Sequence, residues 1–263
     1  MKPEMYTQFI EQLTRNLAAD RRVRGLVACG SMAGTQHQPD EWSDHDFMVI
    51  VDPGTAEDFR NHLAWLPDAG EIVLVFRETQ HAVKVVYPSG HLLEAAVFEP
   101  DEFPVVSLNA YRVLLDRADV AAEAARIQAQ TTQRVQDGQH DDRHRFGQTL
   151  TNLLVGAGRY ARGEKLSGHT FIKHYALGNL LPLLVKYGDT ERRDILDNLD
   201  VMRRFEFAFP AWGAELNAIL LLEPLESARQ LLDLADRLLR DHLHDYPAAG
   251  VETIRCYLSD LPR

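Results

Sequence analysis

Apolar residues recur with helical spacing at the start of the chain. Met5, Phe9, Leu13 and Leu17 stand four positions apart, which predicts an amphipathic helix ending near Asp20. The period then changes. RGLVACG at 24–30 and HDFMVIV at 45–51 are short runs apolar on both faces, the pattern of buried strands, and Gly30 with Ser31 reads as the opening of a helix after the first run. A DPGT turn follows the second run. Thr55 with Asp58 three residues on approximates a capping box for a helix through Ala64, which Pro67 stops. EIVLVF at 71–76, AVKVVY at 82–87 and HLLEAAVF at 91–98 read as three further strands, the last two joined by a PSG hairpin turn at 88–90.

From about Asp119 the sequence becomes helical in character, beginning with ADVAAEAARIQAQTTQRVQ. Further helices are predicted near 144–162, 168–187, 190–204, 211–222 and 225–243, with Gly163, Gly168, Gly188 and Pro210 between or within them. The expected fold class is α+β: a small mixed-sheet domain over residues 1–118, followed by an all-α helical bundle over residues 119–263.

Composition narrows the function. The chain has 263 residues, 45% hydrophobic and 25% charged, which is ordinary globular composition. Its longest apolar runs, FMVIV and AILLL, are far short of the roughly 18 residues that a membrane span requires. MKPEMYTQF has no basic-then-apolar signal pattern, so a cytoplasmic location is expected. Cys29 and Cys256 cannot form a disulfide framework, and no CxxC is present. The net charge of −11 argues against a nucleic-acid partner. The charge is uneven: residues 1–140 carry 12 basic and 21 acidic groups, whereas residues 141–205 carry 11 basic and 8 acidic. A metal site paired with a polyphosphate would explain the split, and so would solvated surface charge.

The densest chemistry lies in CGSMAGTQHQPDEWSDHDFMVIV. Side chains at i and i+2 of a strand share a face, so Asp44 and Asp46 point the same way and repel unless they share a proton or hold a cation. Hard oxygen donors of this kind suit Mg²⁺. Gly30 lets backbone approach a ligand, and Ser31 offers a hydroxyl and an N–H where phosphate is favoured. A DxD at a strand start is alone more often a turn, and a Gly-Ser pair alone is punctuation. Their joint occurrence between two buried strands is what points to a site.

This G-S-x12-D-x-D arrangement, Gly30-Ser31 to Asp44-His45-Asp46, resembles the signature of the DNA polymerase β-like nucleotidyltransferase superfamily, whose small-molecule branch includes aminoglycoside and lincosamide nucleotidyltransferases. The resemblance covers about residues 31–98 and implies a nucleotidyltransferase catalytic domain with a helical domain completing the nucleotide and acceptor site. It also implies a third carboxylate on a later strand. Glu94 is the candidate, as an acid inside an apolar run, over Glu71 and Glu99 at run edges.

By the same resemblance Asp44, Asp46 and Glu94 would be catalytic and ligate Mg²⁺, with Glu94 as metal ligand or as proton acceptor. Gly30 and Ser31 would hold the triphosphate, assisted by Ser43. A basic residue of the helical domain, Lys165 or Lys173, would meet the triphosphate, although basic helices are usually solvated faces. His45 replaces the apolar residue many relatives carry between the acids and is expected to be a packed core histidine.

Other patterns are weaker. Arg162 and His169 only superficially match an Arg-x4-6-His ribonuclease motif, His242 and His244 diverge on a helix end, and Phe205, Phe207, Phe209 and Trp212 read as core before acceptor pocket. The implied function is Mg²⁺-dependent transfer of AMP from ATP, or of another nucleoside monophosphate, to a hydroxyl of a small molecule, an aminoglycoside or lincosamide antibiotic in the first instance. The expected partners are a nucleoside triphosphate and that acceptor, with no nucleic acid and no membrane. A protein hydroxyl as acceptor, or a non-catalytic nucleotide-binding module of the same fold, are the alternatives.

Overall fold

In a computed structural model, residues 3–34, 39–137 and 141–261 are described. The chain forms two compact units, 1–137 and 138–263. In the first, α1 (Pro3–Ala19) leads into β1 (Val23–Cys29), a single 3-10 turn over Gly30–Ala33, and β2 (His45–Val51). There follow α2 (Ala56–Asn61), β3 (Leu74–Arg77), β4 (Ala82–Val86), β5 (Leu92–Phe98), β6 (Tyr111–Asp116) and α3 (Val120–Asp137). The six strands make one sheet in the order β3-β4-β5-β2-β1-β6, mixed because β2 and β5 run parallel while every other neighbouring pair is antiparallel.

Alternation along the strands sorts the side chains into two cores. Leu26, Ala28, Phe47, Val49, Val51, Leu93, Ala95 and Val97 pack against Tyr6, Phe9, Leu13 and Leu17 of α1 and against Phe59 of α2. Val27, Ile50 and Phe98 point to the other face, where Val120, Ala124 and Ile127 of α3 cover them. Phe9, Leu13 and Leu17 form the buried stripe expected of α1, and at its first turn Tyr6 is buried in place of Met5, which is 53% exposed.

The same packing moves the division of the chain. The sequence places it at 118/119, where helical composition begins, but α3 completes the second core of the sheet and belongs with the first unit. Composition reports the type of an element, and burial decides which core it joins. Strand β6, which the patterning missed, pairs antiparallel with β1. The helix expected after Gly30 is only the 3-10 turn.

The second unit contains α4 (Asp142–Ala161), α5 (Lys165–Thr170) and, after a π-helical turn over Phe171–Ala176, α6 (Leu177–Tyr187). It continues with α7 (Phe205–Ala208), α8 (Pro210–Leu220), α9 (Pro224–Leu239) and α10 (Ala248–Asp260), packed around a leucine-rich core. The helix expected at 190–204 is replaced by turns. Asp197 and Asp200 accept hydrogen bonds from the backbone N–H groups of Leu199 and Met202, the short-range bonding by which Asp competes with helix. No helix among the described residues is long and apolar enough to cross a membrane.

Candidate active site

The register of the sheet places charged residues in one row. Cys29 of β1 stands opposite Asp46 of β2, Asp46 opposite Glu94 of β5, and Glu94 opposite Lys84 of β4. Asp46 and Glu94 occupy alternate positions to the α1-facing residues Phe47 and Leu93, so they lie on the α3 face. That helix covers Ile50 and Phe98, towards the far ends of the two parallel strands, and leaves the acids half-buried.

Asp44, just before β2, joins them. One carboxylate oxygen from each of Asp44, Asp46 and Glu94 lies within 4.8 Å of the other two, and among the described residues no other group of three His, Cys, Asp or Glu side chains comes together in this way. At such separations each ionised pair repels by about 1 to 3 kcal/mol in partly solvated surroundings. Oxygen donors alone, converging with net negative charge, fit a hard divalent cation such as Mg²⁺, whose remaining positions water and phosphate oxygens fill.

One cation already touches the cluster. Lys84 Nζ lies 2.7 Å from Glu94 Oε1 and 2.7 Å from Glu78 Oε1, and these bonds, that to Glu78 first, raise the lysine pKa. Neither Lys84 nor Glu78 stands out in the sequence. The usable signal was Lys84 at the centre of an alternating AVKVV strand, sharing a face with the acid on the next strand.

The Gly30–Ala33 turn closes against the same acids. Gly30 has φ +53°, a conformation that favours glycine, and a Cβ there would crowd Asp46 Oδ2 at 3.0 Å. Tyr6 of α1 clips this turn to the start of β2. Its hydroxyl donates to the Asp44 carbonyl at 2.8 Å and lies 2.8 Å from Ser31 Oγ, itself 3.3 Å from that carbonyl. Burial, ahead of the nearby charges, raises the Tyr6 pKa.

Tyr6 is a third residue that the sequence reading passed over. Ser43 is engaged elsewhere: its hydroxyl donates to Asp40 Oδ1 and accepts from the Asp40 N–H, both at 3.0 Å, and so closes the loop before the acids.

His45 is fully buried, as expected. Its Nδ1 lies 2.5 Å from His91 Nε2, its Nε2 3.3 Å from the Tyr6 carbonyl, and its ring stacks on Tyr6 at 3.7 Å. The carbonyl can only accept, so His45 carries its proton on Nε2 and accepts at Nδ1 from His91. Both rings are held neutral. Burial, then the charge of His91, pushes His45 down to about 3, and burial takes His91 down to about 4. Burial likewise pushes the Cys29 thiol up to about 12, consistent with an inert packed side chain.

In the second unit Lys173 Nζ donates to the carbonyls of Leu220 and Leu222 at 2.7 and 2.5 Å, capping the end of α8, and desolvation lowers its pKa. Two of the three N–H donors of this ammonium are thus engaged with main-chain carbonyls. Lys165 is exposed, with Nζ 3.6 Å above the Tyr160 ring. Phe205 and Phe209 are core, Trp212 stacks on Phe209, and Phe207 is 58% exposed. His244 meets Asp245, and His242 stacks on Tyr187.

No protein-family model matches the chain, and no curated protein matches it in sequence. Among solved structures it is similar to an aminoglycoside 6-adenyltransferase from Bacillus subtilis, at 15% identity over 95% of each chain with TM-score 0.32. It is also similar to a nucleotidyltransferase-like protein from Exiguobacterium sibiricum, at 14% identity over 97% of this chain and 88% of that one, TM-score 0.34. A third is the CD-NTase CdnG of Bradyrhizobium diazoefficiens in complex with GTP, at 15% identity over 98% and 94%, TM-score 0.31. At these identities and scores the likenesses carry no inference about activity, and the chemistry rests on the site.

Proposed function

We infer that the chain is a Mg²⁺-dependent nucleotidyltransferase that moves a nucleoside monophosphate, AMP from ATP in the first instance, onto a hydroxyl of a small molecule. The observation that carries this reading is the meeting of Asp44, Asp46 and Glu94 within 4.8 Å beside the Gly30–Ser31 turn. AMP and an aminoglycoside or lincosamide acceptor come from the resemblance of the motif. The acidic surplus of residues 1–140 suits the polycationic choice.

In the reaction the acceptor hydroxyl attacks the α-phosphorus in line, its oxygen–phosphorus bond forms as the bond to pyrophosphate breaks, and the hydroxyl proton passes to solvent. When bound at these acids, divalent cations would supply neutralisation of the charge that develops during the displacement. Asp44, immediately before β2, Asp46 within it and Glu94 beside them would form the cation-holding set. At Gly30, where a side chain would meet Asp46, the bare backbone allows phosphate oxygens to approach, and Ser31, tied to Tyr6, keeps the turn in register with the acids. A basic residue for the departing pyrophosphate, Lys165 or Lys173, comes from the resemblance alone.

The test is incubation with Mg²⁺, labelled triphosphates and a panel of aminoglycosides and lincosamides, following pyrophosphate release. A labelled small product supports the reading, and labelled polypeptide moves the acceptor to a protein hydroxyl. Nucleotide binding without release from any acceptor overturns the enzymatic reading in favour of a binding module.

A further inference from the structure

Lys84 is tied to the acidic cluster by geometry. It stands directly across from Glu94 in the β4–β5 register, on the same face, and its ammonium reaches that carboxylate at 2.7 Å. Its side chain is 22% exposed, so the contact is partly shielded from solvent, and Glu78 holds the ammonium from the other side at 2.7 Å. One carboxylate oxygen of Glu94 is thereby occupied, while Glu94 also offers an oxygen to the meeting point with Asp44 and Asp46.

Resting on the reading of the three acids as a cation site, we propose that Lys84 is a positioning residue: a built-in counter-cation that aligns Glu94 and offsets part of the cluster's negative charge before any divalent ion binds. Two consequences oppose one another. Removing the ammonium takes away a positive charge close to the site, so bare cation affinity rises. It also frees Glu94 to rotate, so the aligned geometry that turnover needs becomes rarer. A residue that served only the fold would produce neither.

The experiment measures Mn²⁺ binding by electron paramagnetic resonance on the full chain without nucleotide, together with kcat and the melting temperature. Lys84→Met is expected to tighten Mn²⁺ by about tenfold, the scale of one nearby unit charge in a partly shielded site, and to lower kcat by about tenfold. Lys84→Arg is expected to return both towards wild type, and Glu78→Gln to leave Mn²⁺ binding within about twofold. Unchanged or weaker Mn²⁺ binding in a folded Lys84→Met protein overturns the proposal. The underlying reading is tested by Asp46→Asn: if that variant binds Mn²⁺ as wild type does, the acids are not a cation site and both readings fall. If Asp46→Asn abolishes binding while Lys84→Met leaves it unchanged, only the role of Lys84 fails.

Discussion

Two single positions, one of the acids and a tyrosine beside them, separate chemistry from stability. Asp46 is half-buried and lies among like charges, so Asp46→Asn relieves repulsion while removing a donor oxygen. We expect turnover to fall at least about a hundredfold with the melting temperature unchanged or raised, measured as pyrophosphate release beside a thermal melt. Normal turnover would remove Asp46 from the mechanism. Tyr6→Phe deletes the hydroxyl that joins Ser31 to the Asp44 carbonyl. Chemical denaturation should show a loss of about 0.5 to 1.5 kcal/mol, the net worth of one hydrogen bond, because Ser31 Oγ still reaches the half-buried carbonyl. Activity should fall further than that loss explains, because the turn is no longer held against the acids.

The buried His45–His91 pair makes stability depend on pH with a definite sign. Both pKa values are depressed in the folded chain, to about 3 and about 4, against about 6.5 for an exposed histidine. The unfolded chain therefore takes up protons first. The pair's contribution is complete above about pH 6.5 and declines as pH falls towards the folded values, by up to about 1.4 kcal/mol per pH unit for each ring. Urea titrations at pH 7.5, 6 and 5, a range above most carboxylate titration, should show this decline. Equal stability across the range would mean that the rings are not held neutral.

Among the elements, α3 shows most plainly how an assignment by composition goes astray. ADVAAEAARIQ is readable as helix, and the helix is there, but Val120, Ala124 and Ile127 contribute to the sheet core. A fragment of residues 1–137 should unfold cooperatively in urea, while residues 1–118 alone should not, because Ile50 and Phe98 lose their cover. Cooperative unfolding of the shorter fragment would return the boundary to 118/119. Strands β1, β2, β4 and β5 were legible because burial on one or both faces leaves apolar runs. Strand β6 was missed: it lies at the sheet edge, where Arg112 and Asp116 are exposed and the apolar run is short. The absent helix at 190–204 was overridden by Asp side chains bonding to nearby backbone, an outcome that helical spacing does not register.

On the scale of the molecule, the acids and the 3-10 turn lie in one compact unit and the two expected lysines in the other. Lys173 is committed to the end of α8, so Lys173→Ala should lower stability and leave the apparent KM for triphosphate unchanged. Lys165→Ala should raise that KM if the helical unit completes the nucleotide site. Steady-state kinetics and thermal melts on both variants distinguish the cases, and an unchanged KM for Lys165→Ala ends its assignment.

The sequence by itself determined the elements that local periodicity encodes, the shared face of Asp44 and Asp46, the need for glycine at a tight approach, and the oddity of Glu94 in an apolar strand. Each follows from spacing along one segment. Only the tertiary structure decided what those groups meet: strand order put Glu94 beside Asp46 and Lys84 beside Glu94, and α1 delivered Tyr6 to the turn. The reason is physical. Strand order and the docking of helices are settled by burial of surfaces far apart in the chain, and that information is in no single stretch of it.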